Sequence, residues 1–355
     1  MAPSDNYETA ATQADGKVAQ FEDTRTGLIG RIQHRLHQTP SLVPLIVLVF
    51  SVVLFGVLLG SRFFSPFAMT LILQQVQIVG VLAAAQTLII LTAGIDLSVG
   101  AIAVLCTVVM GKATFSYGIP APVSVAIGLA VGTTLGAISG YLVSRMKLPP
   151  FIVTLGMWQI VLAANYLYSA NETIRSQDIE ANAPFLQLLG TQMKFGGATF
   201  TFGVILMIGL FIVLAYALRS TAWGRHVYAV GDDPEAAELS GVDVHKTYMS
   251  VYMAAGFICA LAGWVMIGRF GSISPSATTG VIGNIQAITA VVIGGISLFG
   301  GRGSIAGALF GALIVGVFEL GLRMAGADPQ WTFMLIGLLI IAAVAVDQWI
   351  RKVSA

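Results

Sequence analysis

The sequence predicts an all-α, polytopic membrane protein with about ten transmembrane helices, and three observations carry that reading. The first is composition. Hydrophobic residues make up 56% of the 355 and charged residues only 10%, with a mean hydropathy of +0.86, whereas a soluble globular chain carries roughly a quarter charged residues. The excess apolar surface has to face lipid. The second is spacing: a helix needs about 20 apolar residues to cross the hydrocarbon. Such stretches fall at about 42–60, 67–92, 97–116, 120–143, 151–169, 201–218, 248–268, 284–298, 303–323 and 331–350. Several open on a proline near the first turn (Pro44, Pro66, Pro120, Pro150), where the missing N–H costs little. The stretch at 284–298 is short and is broken by Gly294 and Gly295. The third is glycine, counted at 40. No hydrophobic drive brings helices together in lipid, so small residues must let their backbones approach.

Lysine and arginine set the orientation, because positive loops resist translocation. With ten spans and the N-terminus inside, the cytosolic side holds Lys17, Arg25, Arg31, Arg35, Arg145, Lys147, Arg219, Arg225, Lys246, Arg302, Arg351 and Lys352, twelve of the eighteen. Both termini are therefore expected in the cytosol, since an odd number of spans would strand one basic end outside. Residues 1–39 are polar and read as a cytosolic tail rather than a cleavable leader. They are expected to be disordered at first and helical near Ile29 to Leu36. The organisation is thus a tail, 1–39, and a transmembrane domain, 40–351, whose main cytosolic loop is 219–247. A net charge of +1 implies no nucleic acid partner. Cys106 and Cys259 lie inside apolar runs and read as small buried hydrophobes.

Some segments depart from lipid filler. The second span runs into Gly94-Ile95-Asp96-Leu97-Ser98-Val99-Gly100, an acidic residue between glycines, and an unpaired charge at depth is costly. The segment is expected to break or turn near a membrane face, with Asp96 either capping the next helix or forming a polar hinge beside a conduction path. A related pattern, Gly295-Ile296-Ser297-Leu298-Phe299-Gly300-Gly301, returns on the same side, and glycine-interrupted segments at corresponding places point to binding regions in transporters. In the loop after the sixth span, Asp233 is a natural N-cap, Pro234 suits the first helical position, Glu235 favours the dipole and Gly241 suits a left-handed stop. The helix of about two turns between them cannot stand alone in water. It packs on its own loop or docks a cytosolic partner.

The polar side chains within the spans include Gln74, Gln75, Gln77, Gln86, Gln159, Asn165, Asn284 and Gln286. Amides hydrogen-bond a neutral polyol, and they also join helices. Glu319 lies four residues before Arg323, the spacing of a helical ion pair. No GxxxxGK[ST] phosphate loop, HExxH or GxSxG occurs, which removes ATP binding by that loop and weakens metalloprotease and hydrolase readings. An ion-coupled secondary transporter would bury ionisable residues, and only Asp96, Glu319 and Asp347 come near the spans.

Three segments in order also resemble a family. They are Gln86-Thr87-Leu88 leading into Gly94–Gly100; Gly224-Arg225 with Asp233-Pro234-Glu235-Ala236-Ala237 and Ser240-Gly241-Val242; and Val292 through Ser304. Over about residues 40–350 the chain resembles the permeases of ribose-, xylose- and fructose-type ABC sugar importers, and the likeness leans toward fructose. That resemblance implies an architecture like the vitamin-B12-type importer permeases, in a bacterial inner membrane. It implies a permease homodimer, a partner ATPase with two nucleotide-binding domains that uses ATP and Mg, and an external sugar-binding protein. The family's coupling segment falls on Asp233, Pro234, Glu235, Ala236, Ala237, Leu239 and Gly241. Arg62, Arg269 and Arg323 are placed to face the binding protein. Gln86, Asp96, Gln159, Asn165, Asn284 and Gln286 are the candidates for the translocation path.

Overall fold

The computed structural model describes residues 41–195 and 197–352. The tail and its expected helix near Ile29 lie outside the described residues, as does the side chain of Asp347. Helices stand at every apolar stretch: α1 (Leu42–Leu59), α2 (Pro66–Leu91), α3 (Val99–Phe115), α4 (Ala121–Ser144) and α5 (Pro150–Ser169). A short helix α6 (Ser176–Asn182), a 3-10 segment (Pro184–Gly190) and a hairpin of β1 (Gln192–Phe195) and β2 (Ala198–Thr201) precede α7 (Phe202–Ser220). Then come α8 (Ala222–Asp232), α9 (Pro234–Leu239), α10 (Val244–Phe270), α11 (Ala277–Ile293), α12 (Ile305–Met324) and α13 (Pro329–Lys352). Seven of these are long and apolar enough to cross a bilayer by length and composition; α3, α11 and the apolar part of α13 are shorter.

Contacts sort the connections to two ends. At the hairpin end, Thr199 N–H donates to Thr70 Oγ1 at 2.8 Å, and Ile174 and Ile273 exchange main-chain bonds of 2.9 and 3.0 Å. At the other, the α9 end, the Gly301 N–H donates to the Leu91 carbonyl at 2.9 Å, Tyr228 OH donates to the Gly303 carbonyl at 3.0 Å, and His245 Nδ1 lies 2.6 Å from Ser144 Oγ.

α10 is the central helix, packed on α2, α3 and α4. Its seam with α4 is built from glycines at four-residue spacing, Gly132, Gly136 and Gly140. A Cβ on Gly136 would overlap the Tyr252 carbonyl, and one on Gly132 would come within 2.6 Å of the Gly256 carbonyl. The small-residue spacing thus lets two backbones touch where lipid supplies no squeezing force.

Three expectations need correction. The eighth apolar helix begins seven residues before 284: Ser276 Oγ accepts the Thr279 N–H at 3.4 Å and caps α11, whose first turns are threonine and glycine and so fall below the hydropathy of a span. Gly295, with a φ of 74°, ends the element where a span to 298 was expected. The loop 219–247 holds two helices rather than one, because Thr221 caps α8 by accepting the Gly224 N–H at 3.1 Å.

Candidate functional site

The glycine-flanked acidic segment is a re-entrant strand of chain. After Leu91, residues 92–98 leave helical geometry and turn back into the bundle. Ala93, with a φ of 59°, makes the turn. Asp96 returns to the level of Gln86, five residues before the end of α2, and Leu97 to the level of Asn284, nine residues before the end of α11. At 1.5 Å per residue that is about 8–14 Å inside those helix ends. Non-helical backbone at such depth survives only where protein satisfies it, and four main-chain groups of the segment are met by side chains from three helices. The Gln86 amide of α2, oriented to satisfy both its atoms, donates to the Asp96 carbonyl at 3.1 Å and accepts the Asp96 N–H at 3.2 Å. Thr154 Oγ1 of α5 donates to the Ile95 carbonyl at 2.9 Å, and Asn284 Nδ2 of α11 donates to the Leu97 carbonyl at 2.9 Å. Asp96, 3% exposed, accepts from the Ser98 N–H and Oγ, both at 2.6 Å. Ser98, not Asp96, is the N-cap residue of α3; the carboxylate closes a turn ahead of the helix instead of starting it.

Above this segment, toward the hairpin end, lies a cleft of about 370 Å³ between α3, α10 and α11. Val104 and Thr107 of α3, Met266 and Phe270 of α10, and Thr279 of α11 line it, together with Ser272, Ser274 and Ser276 from the link between α10 and α11. That link is extended, so alternate side chains face opposite ways: Ile273 and Pro275 are buried while Ser272, Ser274 and Ser276 look into the cleft. Asn165 pins the link by donating from Nδ2 to the Pro275 carbonyl at 3.1 Å. Its Oδ1 is buried with no partner among the described residues. α3 and α11 meet in this region at Gly100 and Gly280, where a Cβ on Gly100 would overlap the Gly280 carbonyl. The serines were missed in the sequence, although Ser-x-Ser-x-Ser directly after a span was the available signal.

At the α9 end, Asp233 Oδ1 accepts the Glu235 and Ala236 N–H groups at 2.9 and 3.0 Å, Pro234 opens α9, and Gly241 with a φ of 86° follows it. Ala237 is buried, while Glu235, Ala236 and Leu239 are exposed, Leu239 to 90%. The end of α8 lies directly beneath α2: a Cβ on Gly231 would overlap the Leu91 carbonyl, and one on Gly301 would come within 2.8 Å of Asp232 Cβ. Both glycine-interrupted segments therefore converge on this junction. Asp243 Oδ1 caps α10 through the Lys246 N–H at 2.9 Å, and its other oxygen lies 2.8 Å from Lys246 Nζ. These contacts, led by the Lys246 side chain, hold the carboxyl below its ordinary value.

The remaining candidates scatter. Gln159 is exposed on α5. Gln286 donates to Glu319 Oε2 at 3.3 Å, as does Gln75 at 3.1 Å, and Arg323 reaches Glu319 Oε1 at 3.0 Å, the expected helical pair. Arg62, Arg269 and Arg323 all stand at the hairpin end, with Arg323 engaged by Glu319.

The family described as the permease component of the branched-chain amino acid transport system matches residues 68–344. The chain is 64% identical over 353 residues to the fructose import permease protein of Rhizobium meliloti, covering 99% of this chain and 98% of that one. It is 35% identical over 312 residues to the ribose import permease protein of Escherichia coli K12, covering 88% and 94%. It is 30% identical over 318 residues to a fructose import permease protein of Bifidobacterium longum, covering 89% and 92%. No solved structure matches it.

Proposed function

Since this chain belongs to the family of branched-chain-type import permeases, we propose that it is the membrane subunit of an ABC importer that carries fructose into the cytoplasm. The observation that carries the sugar is the 64% identity, end to end, with one fructose permease. At lower identity the sugar does not follow similarity, since a ribose permease at 35% stands above a fructose permease at 30%.

In this reading all ten apolar helices span, including the three shorter ones, in an arrangement like the vitamin-B12-type importer permeases. Support comes from the alternation of their connections between two ends. The basic tail and Arg302, Arg219, Arg225 and Lys246 favour a cytosolic α9 end, and the importer holds two copies of the chain. ATP and Mg are used by a separate ATPase with two nucleotide-binding domains, which grips α9; a leucine 90% exposed beside Glu235 and Ala236 is a knob for that grip. Movement of α9 passes through α8 to the Gly231, Leu91 and Gly301 junction and so to the re-entrant segment at the foot of α3. An external sugar-binding protein docks at the hairpin end, with Arg62 and Arg269 offered to it and Arg323 sharing its charge with Glu319.

Reconstitution of the chain with the ATPase and binding protein of its own system tests this. ATP-dependent uptake of labelled fructose is expected. Accumulation by the chain alone, driven by protons or sodium, would establish the ion-coupled alternative instead.

A further inference from the structure

We infer that the serine ladder of the α10–α11 link is a sugar-holding subsite within the translocation path, built for an uncharged polyol. The inference rests on the importer reading and names residues that it leaves open.

Four features converge on the cleft. No charged side chain among the described residues lines it, and the described lining therefore does not select an ion, a phosphate or a carboxylate. Its polar groups are hydroxyls, each able to donate once and accept twice, which matches the alternating donors and acceptors of a monosaccharide. The Ser272 and Thr279 hydroxyls have no hydrogen-bond partner among the described residues, and Thr107 Oγ1 donates to Val104 of its own helix at 2.7 Å, leaving its lone pairs free. Asn165, 2% exposed, carries an idle Oδ1 in a recess that Ser276 also lines. A buried acceptor left unpaired is costly, and a ligand hydroxyl reaching past Ser276 would satisfy it. The Phe270 ring and Met266 supply an apolar wall for the sugar's C–H face.

Depth and size agree. The cleft's volume of about 370 Å³ lies within the range of small-ligand pockets, about 300–1,000 Å³. The Gly100–Gly280 approach and the Asn284–Leu97 bond stand between it and the α9 end. A sugar resting on the ladder thus sits against the place where α3 and α11 must part, and that place adjoins the re-entrant segment. Hydroxyls without a charge suit a path, where a ligand has to be held well enough to enter and loosely enough to leave.

The test compares two labelled sugars in vesicles containing the whole importer. Ser272→Ala with Thr279→Val removes two hydroxyls that hold no other described residue, so the fold loses little. The fructose-to-ribose uptake ratio is expected to change by about fivefold or more, the worth of one or two hydrogen bonds; a merely structural defect would lower both sugars alike. A second measurement uses Ser274→Cys, labelled by a water-soluble thiol reagent from the hairpin end. Native Cys106 and Cys259 are buried and give little background. Millimolar fructose is expected to slow labelling, and an equal concentration of an unrelated organic anion is expected not to. An unchanged ratio together with labelling indifferent to fructose overturns the subsite while leaving the importer reading intact. Absence of fructose uptake by the unaltered importer would instead remove the reading beneath it.

Discussion

Gln86 and Gln159 are the same residue type in two apolar helices, yet the structure gives them opposite surroundings. Gln86 is fully buried and its amide holds both main-chain groups of Asp96, at 3.1 and 3.2 Å. Replacing it with leucine, of similar size, leaves an N–H and a carbonyl unpaired in a region without water. Each such group costs about 1–3 kcal/mol. Interhelical bonds measured in membrane proteins run lower, about 0.6 and at most about 1.7 kcal/mol, because helices adjust to find other partners. Here the orphaned groups belong to a turn fixed from three other sides, by Thr154, Asn284 and Ser98, which limits adjustment. The expected loss for Gln86→Leu is therefore about 2–4 kcal/mol, between the two scales. Gln159→Leu, at an exposed position without a hydrogen bond to any described residue, is expected to stay within about 0.5 kcal/mol. Unfolding of the purified protein in mild detergent, titrated with a denaturing detergent, measures both. Equal stability of the two variants would refute the claim that residues 92–98 are held inside the bundle by side-chain caps.

Three further outcomes follow from the same geometry. Gly231→Val puts branched carbon against the Leu91 carbonyl, an overpacking worth about 1–3 kcal/mol; an assembled importer is expected to hydrolyse ATP with reduced fructose uptake per ATP, and undiminished uptake would show that the junction transmits nothing. Asp233→Ala removes the cap of α9 at a cost of about 1 kcal/mol and is expected to weaken ATPase binding, with Asp233→Asn restoring it; co-purification of the two subunits reads this out. Lys246 holds the Asp243 carboxyl below its ordinary value of about 3.9, and Lys112, 2.8 Å away, does the same for Glu172. A depressed carboxylate stabilises the fold above its unfolded pKa, and that contribution disappears as pH falls through the folded one. Thermal unfolding of Asp243→Asn is therefore expected to fall below that of the unaltered chain near neutrality and to converge with it as the pH drops below about 4; a difference that persists in acid would contradict the pairing.

What the sequence made legible was local. Ten apolar stretches were visible because each is a run of about span length, and the caps of α9 were visible because an N-cap, a proline and a left-handed glycine are defined within nine residues, Asp233 to Gly241. The start of α11 escaped because Thr278, Thr279, Gly280 and Asn284 dilute hydropathy, although Ser276 marks a cap. The re-entrant segment was half visible: Asp96 between glycines announced a break, but its depth depends on Gln86, Thr154 and Asn284, separated by up to about 200 positions in the chain. Nothing in a one-dimensional pattern distinguishes an amide that meets a carbonyl across the bundle from one that meets lipid. The same blindness gave Gln159, exposed on α5, the same standing as the buried Gln86.

The dispersal of those three caps has a consequence for biogenesis. Spans leave the ribosome in order, so the stretch at 92–98 enters the membrane before Thr154 has been made and long before Asn284. Until then the Ile95 and Leu97 carbonyls lack the Thr154 and Asn284 donors they have in the finished fold. Insertion of the early helices and completion of the bundle interior are thus separate events, the second waiting on α11. A nascent chain interrupted between the two would hold a correctly threaded topology around an unfinished interior.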